Sequence, residues 1–393
     1  MEFSSANYPI GEAAGKVDLT VIRSGNTSGV TTVNYATNDG FSGTNCSALS
    51  GNASSKCDYI SAAGTLNFAA GETSKTITVL IIDDSYLEFP EMFSVILSNP
   101  SGGTLGGNST AAVTINDNDN GLAPNPIDQA HFFVQEHYYD FLGRYPDQGG
   151  WDFWTNEITS CTTQSCTDQK RVTVSAAYFL SIEFQQTGYL VERIYKAAYG
   201  DATGNSTFNG AHTLPVPIVR FSEFLPDTQQ IGNGVVVGAP NWEQTLENNK
   251  QAFALAFVQR QRFTAALPTT MSPQAFVDKL YQNAGVTPST TDRNTAINEF
   301  GSATNTTDVA ARGRVLRKVA EDSTLNANEF NRAFVLMQFF GYLRRDPNTA
   351  PDSDYSGYDF WLTKLNQFNG NYINAEMVKA FITSTEYRQR FGP

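Results

Sequence analysis

Hydrophobic and polar residues alternate along the first 120 positions of the chain, with the period of a half-buried β-strand. Gly, Asn, Ser and Asp separate the alternating segments, as turn residues do. The segments are KVDLTVIR (16–23), VTTVNY (30–35), GTLNF (64–68), KTITVLII (75–82), MFSVIL (92–97) and AAVTI (111–115). About seven short strands at this spacing predict an all-β antiparallel sandwich over residues 1–120.

The period changes after this region. Residues 121–129 are rich in Pro, Asn and Gly and have the composition of a linker. From residue 130 to residue 393 apolar residues recur at spacings of three and four, which indicates amphipathic helices. Ser272 and Pro273 form the start signal of one helix and Gly285 its stop signal. The chain is therefore predicted to be multidomain, with an all-α domain that lacks strands and folds without the sandwich.

The helical region contains an internal repeat, in which residues 133–154 resemble residues 334–361. The matching positions are Arg-x-Pro at 144–146 and 345–347, and Phe-Trp at 153–154 and 360–361. Repeated helical hairpins usually bury each other's apolar faces. We therefore expect the aromatic residues of the repeat to pack in the core, with a sugar-stacking platform as the alternative. These residues are Trp151, Trp154, Tyr358 and Trp361.

Composition places the 393-residue chain among globular proteins, since 40% of its residues are hydrophobic and 17% are charged. Its net charge of −13 argues against nucleic acid and against an anionic membrane surface as partners. No apolar run approaches the length that spans a bilayer, so no membrane insertion is expected. Residues 1–120 hold 12 acidic and 4 basic side chains, and therefore carry most of the imbalance.

The stretch VLIIDDSYLEFPEMF (79–93) concentrates this negative charge. It carries Asp83, Asp84, Glu88 and Glu91 without any Lys or Arg. Half-buried carboxylates that lack basic partners either raise their pKa or bind a cation. Ca²⁺ takes six to eight oxygen ligands, which Asp-rich loops supply. Further acids stand near predicted strand ends, namely Glu12, Asp58, Asp117 and Asp119.

These residues also carry a family resemblance over residues 3–120. GEAAGKVDLTVIRSG, CDYISAAGTLNF, TVLIIDDSYLEFPEMFSVILSNPSG and AAVTINDND resemble the Calx-beta domain. The resemblance implies an immunoglobulin-like sandwich that binds Ca²⁺. The ligands it implies are Glu12, Asp58, Asp83, Asp84, the backbone carbonyl of Tyr86, Glu88, Glu91, Asp117, Asn118 and Asp119. Asn118 replaces a third Asp of the family, which removes one charge and leaves the number of ions open. The alternative is that the acids only form turns.

The segment YYDFLGRYPDQGGWDFW (138–154) resembles a second family, the bacterial domain of unknown function 4214. This resemblance is clearest at 130–200 and 325–393 and weakens over 201–324, where an insertion is expected. It implies a large secreted or surface-layer-like protein and supplies no catalytic residue.

The four cysteines fall in two close pairs within polar loops, Cys46 with Cys57 and Cys161 with Cys166. Such pairs are typical of disulfides in an oxidising compartment, so we expect a secreted or cell-surface protein. The sequence opens directly on strand-like residues, which suggests a fragment whose export signal lies upstream.

The sequence contains no catalytic motif. His131 and His137 are six positions apart, which is not the spacing of a helical metal pair. Glu136 and Asp140 are helical neighbours that fit a solvated face better than a glycosidase pair. Residues 352–360 resemble a calcium loop but lack its terminal Glu, so Asp352 and Asp354 are expected to be turn residues.

These observations predict a non-enzymatic, extracellular, calcium-binding surface or matrix protein that acts in adhesion, interaction or assembly. Its expected partners beyond calcium are glycans, other surface proteins or further copies of the chain. One alternative is a secreted polysaccharide hydrolase with its site in the helical half. A third reading is a subunit of a self-assembling filament or surface lattice.

Overall fold

The computed structural model describes residues 1–39, 46, 49 and 51–393. The chain divides into two compact units, unit 1 (residues 1–175 and 380–393) and unit 2 (residues 176–379). The predicted change from strands to helices is confirmed. The compact units, however, do not follow the predicted boundaries at residues 120 and 130, because unit 1 combines the sandwich with the first helices and the C-terminal segment. Helical periodicity shows that a helix face is buried, but not which element covers it.

The described residues of the sandwich form eight strands in two sheets. The strands are β1 Glu2–Phe3, β2 Asn7–Gly11, β3 Lys16–Ile22, β4 Thr31–Asn38, β5 Ala63–Phe68, β6 Ser74–Leu80, β7 Glu91–Ser101 and β8 Thr110–Asn116. One sheet has the order β1-β3-β6 and the other β2-β8-β7-β4-β5. Alternate residues of both sheets form a common core that includes Leu19, Phe68, Val79, Phe93 and Val113. The predicted sandwich is therefore confirmed.

One pair of strands departs from the predicted antiparallel arrangement. β2 and β8 are parallel, with Gly11 opposite Asn116 at their ends. β1 pairs with β3 in the first sheet and β2 with β8 in the second, so the chain crosses from one sheet to the other between Phe3 and Asn7. β2 is an edge strand, where Pro9 and its missing N–H are tolerated.

The helical elements that follow the sandwich begin within the predicted linker. Asn125 and Ile127 are buried there, and the Asn125 side chain accepts a hydrogen bond from the Ile127 N–H (3.1 Å). The second half of residues 121–129 is thus a packed turn and not a free linker. They are a 3₁₀ turn at Pro126–Asp128, α1 Ala130–His137, a π-helix at Tyr138–Leu142, α2 Gln148–Thr159 and α3 Gln164–Leu180, of which residues 176–180 belong to unit 2. A further 3₁₀ turn, Glu12–Ala14, lies within the sandwich.

Unit 2 is mainly helical. Its helices are α4 Ile182–Gln186, α5 Gly188–Tyr199, α6 Phe221–Gly232, α7 Trp242–Phe257, α8 Gln261–Ala266, α9 Pro273–Ala284, α10 Thr290–Asn298, α11 Val309–Ala320, α12 Ser323–Met337, a π-helix Gln338–Tyr342, α13 Ser356–Gln367 and the first half of α14 Met377–Ile382, whose residues 380–382 belong to unit 1. The predicted ends of α9 are confirmed, since Ser272 Oγ accepts from the Ala275 N–H (3.2 Å) and Gly285 is left-handed (φ 68°). A last helix, α15 (Thr385–Arg388), belongs to unit 1.

The prediction of an all-α region is wrong for one antiparallel hairpin, β9 (Ala202–Ser206) with β10 (His212–Val216). Its turn contains Asn209 and Gly210, which both have positive φ. Asn-Gly between two short strands is a strong hairpin signal, because both residues adopt the left-handed conformation readily.

The two copies of the repeat have the same local structure. In each copy an α-helix continues into a π-helix after the residue pair Phe-Val. His137 contacts the Phe133 carbonyl (2.6 Å), and Gln338 donates to the Phe334 carbonyl (3.0 Å) at the equivalent position. The π-turn is therefore a property of the repeated sequence.

Two of the four repeat aromatics serve packing, as expected. Trp151 is buried, stacks on His131 and donates its indole N–H to the His131 carbonyl (2.9 Å). Tyr358 is fully buried and donates to the Arg332 carbonyl (3.3 Å). Among the described residues no helix combines the length and the apolar character needed to cross a membrane.

Candidate metal centre

The strand register brings distant acidic residues to one end of the sandwich. The parallel pairing of β2 with β8 places Glu12, which follows β2, beside the segment that follows β8 and carries Asp117. Lys16 pairs with Leu80, so the chain beyond β6 returns to the Glu12 turn. The Ile82 N–H donates to the Asp58 carbonyl (3.0 Å), which brings Asp58 to the same end.

Two clusters of three acidic residues lie at this end, and one residue belongs to both clusters. Glu12, Asp84 and Asp119 each place an oxygen within 4.8 Å of the others, and so do Asp58, Asp84 and Glu88. Asp84 belongs to both groups and is only 4% exposed. The structure therefore brings together five of the predicted ligands, with Asp84 at the centre.

Backbone hydrogen bonds fix these side chains. The Asp84 N–H donates to Glu12 Oε1 (3.0 Å), and the Tyr86 N–H donates to Asp84 Oδ1 (2.7 Å). Asp117 accepts from the Glu88 N–H (2.9 Å) and from the Asp119 N–H (2.8 Å). Asp117 thus orients two neighbouring acids, whereas Asp84 keeps one oxygen for another partner.

Several buried oxygens of the cluster have no hydrogen-bond partner. They are Asp58 Oδ1, Asp83 Oδ1, Asp84 Oδ2 and Asp119 Oδ2. In the part of the chain that the structure describes, none of the eight clustered carboxylates forms an ion pair with Lys or Arg. Leaving a buried polar atom unpaired costs about 1–3 kcal/mol, and more for a charged one. These oxygens therefore point to a ligand that is itself positive.

The electrostatics of the cluster lead to the same conclusion. Burial raises the pKa of Glu12 and the Asp84 N–H lowers it, and with the charges of Asp83 and Asp119 the net pKa rises from 4.5 to about 8. Burial and the nearby Asp58 raise the pKa of Glu88 to about 8 as well. Burial, followed by the charge of Glu12, raises the pKa of Asp84 well above its usual value.

The outer acids of the cluster behave similarly. Burial raises the pKa of Asp58 and of Glu91, and the Asp58 charge raises that of Glu91 further. Burial raises the pKa of Asp83, while a hydrogen bond with the Asn118 side chain lowers it. The Asn118 amide therefore contacts the cluster as the sequence predicts, but without a charge.

The donor set fits a hard cation. Every donor is a carboxylate or amide oxygen, which Ca²⁺ accepts in irregular geometries of six to eight ligands, whereas Mg²⁺ demands an octahedron. Zinc prefers nitrogen and sulfur, and Cys57 beside Asp58 is held in a disulfide. Glu12, Asp58, Asp84, Glu88 and Asp119 are the residues that fit as calcium ligands.

The second candidate calcium loop is a turn. Asp352 pairs with Arg345 (2.8 Å), and Asp354 accepts from the Ser356 N–H (2.9 Å) and from the Thr207 hydroxyl (3.2 Å). Both acids are therefore satisfied by protein groups, as the turn interpretation predicts.

Both predicted disulfides are present. Cys46 is bonded to Cys57 and Cys161 to Cys166, with Cα–Cα distances of 5.6 and 5.5 Å. The first bond anchors the segment that carries Asp58.

The expectation of a solvated helix face is wrong for Glu136 and Asp140, because both acids are buried in an ion-pair cluster. Asp140 accepts two hydrogen bonds from Arg390 (2.9 and 3.0 Å), and Glu136 lies 3.8 Å from the same guanidinium group. His137 and Ser175 are in contact (2.6 Å) but are both fully buried, and burial lowers the His137 pKa to about 3. None of these groups is placed to meet a substrate.

Unit 2 contains a cleft of about 830 Å³, in which charged side chains of the wall pair with one another. Arg317 in its wall forms two short hydrogen bonds with Glu247 (2.7 and 2.6 Å) and a third contact with Glu321 (3.2 Å). The charge of Arg317 thus stabilises the packing of the helices.

The sequence interpretation missed Gly15. This residue ends the 3₁₀ turn of Glu12 with φ 71°, and its carbonyl accepts from the Ile81 N–H (3.0 Å) and the Tyr139 hydroxyl (2.8 Å). The signal was available, since Gly after a short helical turn commonly adopts the left-handed conformation.

Comparisons with known proteins agree with the geometry of the sandwich. The Calx-beta domain family matches residues 1–119. The mouse extracellular matrix organizing protein FRAS1 is 36% identical over 119 residues, which are 30% of this chain and 3% of FRAS1. The sodium/calcium exchanger Calx of Drosophila melanogaster is 31% identical over 103 residues, which are 26% of this chain and 10% of the exchanger.

Among solved structures, the apo form of the Calx CBD1 domain is 32% identical and has a TM-score of 0.27. The match covers 30% of this chain and 96% of that domain. The chain spans only 3% of FRAS1 and 10% of the exchanger. The resemblance of its helical region to the domain of unknown function 4214 stays a prediction. Residues 1–119 are a Calx-beta domain.

Proposed function

We propose that the end of the sandwich binds Ca²⁺ through Glu12, Asp58, Asp84, Glu88 and Asp119. The observation that carries the proposal is Asp84, a buried carboxylate that joins two acidic groups and keeps one oxygen without a partner. Asp83, Glu91, Asp117, Asn118 and the carbonyl of Tyr86 complete the surroundings. A cation replaces repulsion among these carboxylates by attraction, so binding and folding of the end loops are linked.

We further propose that the protein acts outside the cell as a non-enzymatic adhesion or assembly component. Two disulfides support an oxidising compartment. The similarity of residues 1–119 to an extracellular matrix organizing protein and to a sodium/calcium exchanger supports a role connected with calcium and the matrix. The helical repeats then offer the surface for glycans, other surface proteins or further copies of the chain.

The calcium proposal is tested by titration calorimetry on the full chain. Extracellular calcium modules bind at about 0.1–1 mM, so calcium is titrated to several millimolar. Asp84→Asn removes the shared charge at almost constant shape and should weaken binding by about tenfold or more, since it is worth one charged interaction. The control is Asp18→Asn, a half-exposed acid of β3 paired with Lys16 (3.5 Å), which should bind as the wild type does.

The absence of calcium binding by the wild-type chain would overturn the proposal. Equal binding by Asp84→Asn and Asp18→Asn would place the ion elsewhere. The adhesive role is tested separately, by the binding of the full chain to immobilised glycans and to itself in calcium and in chelator. Release of products from those glycans would contradict the non-enzymatic assignment.

A further inference from the structure

The C-terminal segment is bonded to the loop that carries the central ligand. Residues 380–393 belong to the same compact unit as the sandwich. Ser85, next to Asp84, donates its N–H (3.0 Å) and its hydroxyl (3.1 Å) to the Phe391 carbonyl. Tyr86 donates its phenol hydroxyl to the Gln389 carbonyl (3.1 Å). The two residues that follow Asp84 are thus held by the chain terminus.

A second ligand segment is held by Arg390. This side chain is fully buried and donates its Nε–H to the Lys56 carbonyl (3.0 Å), two residues before Asp58. The same guanidinium group is paired with Asp140 in the π-helix (2.9 and 3.0 Å). Arg390 therefore joins the Asp58 segment, the C-terminal segment and the first helical hairpin at one buried point.

The third ligand segment is held by the π-helix. Tyr139 donates its hydroxyl to the Gly15 carbonyl (2.8 Å) at the end of the Glu12 turn. The Tyr145 ring also lies against Gly15, since a Cβ atom placed there would be 2.7 Å from the ring. Close approach of this kind requires both glycine and the present position of the Glu12 turn.

We infer that calcium binding controls the docking of residues 384–393 and of the π-helix onto the sandwich. The inference rests on the proposed calcium site. The proposed ligands lie on four segments, which contain Glu12, Asp58, Asp84 with Glu88, and Asp119. The first three segments are hydrogen-bonded to the docked elements through Gly15, Lys56 and Ser85. An ion that fixes these segments therefore also fixes the three groups that bond the docked elements. Without the ion, repulsion among the carboxylates displaces the same groups and loosens the docked elements. Coupling is reciprocal, so docking also strengthens calcium binding.

The test is hydrogen exchange on the full chain, in calcium and in chelator, together with calorimetric titration of calcium. We expect calcium to slow exchange of peptides covering 138–145 and 384–393 by roughly fivefold or more, the lower end of typical coupling. Calcium that binds but slows exchange only in the ligand loops would overturn the inference and leave the proposed function intact. No binding would overturn the proposed function, and the inference with it.

A variant separates docking from ligation. Tyr86→Phe removes the hydrogen bond to Gln389 but keeps the backbone carbonyl and every carboxylate. It should weaken calcium binding by roughly two- to tenfold, as expected for one hydrogen bond, and reduce the protection of 384–393. Tyr8→Phe is the control within the sandwich, since it removes a hydroxyl that donates to the Thr20 carbonyl (3.3 Å) and also bonds to the Ser4 hydroxyl and the Ser5 N–H. Equal effects of the two variants would overturn the inference.

Discussion

The Asp84 N–H donates to Glu12 Oε1 at 3.0 Å, although 72 positions separate the two residues. The contact joins the loop after β6 to the turn after β2 and closes the cluster across both sheets. It also aligns two carboxyl groups whose pKa values are both raised, mainly by burial. A structural turn would not need to bury two acids side by side, whereas a cation site does.

Calcium should stabilise unit 1 against unfolding. At a hundredfold excess of calcium over Kd, the free energy of unfolding should rise by about 2.7 kcal/mol. Asp84→Asn should reduce this gain, and in chelator it should melt above the wild type because it relieves repulsion. Differential scanning calorimetry of the full chain in calcium and in chelator measures both effects, with Asp18→Asn as the control. Equal melting in both buffers would contradict calcium binding and leave the acids as turn residues.

The calcium-free protein should become less stable as the pH rises from 5 to 8. Glu12 and Glu88 have a usual pKa of 4.5 and a folded pKa of about 8, so the folded state binds more protons in this window. Their stabilising contribution is fully present below pH 4.5 and is lost as the pH passes through 8.

The measurement is the melting temperature at pH 5, 6, 7 and 8 in chelator. Glu12→Gln combined with Glu88→Gln should flatten the dependence, and so should saturating calcium. Because binding displaces protons from these groups, calcium titrated at pH 7 should release protons, which calorimetry in buffers of different ionisation enthalpy detects. A stability that rises from pH 5 to 8 in chelator would contradict the assigned environment.

The sequence predicted the sandwich and its acidic end because both depend on local signals. Alternation located six strands, and Asp or Glu after apolar runs located the cluster. β1 and β2 were missed because the first has two residues and the second contains Pro9. Their absence concealed the parallel pairing of Gly11 with Asn116, which explains why Glu12 lies beside the loop after β8.

Contacts between distant segments leave no signal in the sequence comparable to the alternation that predicts the strands. Ser85 and Phe391 are 306 positions apart, and no period or spacing connects them. Arg390 stands among aromatic residues near the terminus, where a surface position is the ordinary expectation for Arg. Its burial depends on Asp140 and on the Lys56 carbonyl, which only the folded chain brings to it.

Replacing Arg390 should destabilise unit 1 severely. Arg390→Met leaves Asp140 and Glu136 buried without their counter-charge, and breaking a buried pair in this way costs about 3–5 kcal/mol. Arg388 offers a matched control two positions away, since its pair with Asp128 (2.6 Å) is partly exposed. Arg388→Met should cost at most about 1 kcal/mol. Calorimetric melting of both variants decides the matter, and equal shifts would contradict the role assigned to Arg390.

The boundary between independently folding parts should follow the compact units and not the change from strands to helices. A fragment of residues 176–379 should be helical by circular dichroism and melt cooperatively, because it retains the internal contacts of unit 2. A fragment of residues 130–393 lacks Gly15, the Lys56 carbonyl and Ser85, which bond Tyr139, Arg390 and Phe391. Its residues 130–175 and 380–393 should therefore exchange amide hydrogens rapidly while 176–379 stays protected. Full protection of residues 130–145 in that fragment would show instead that the helical region folds without the sandwich, as the change of period alone predicts.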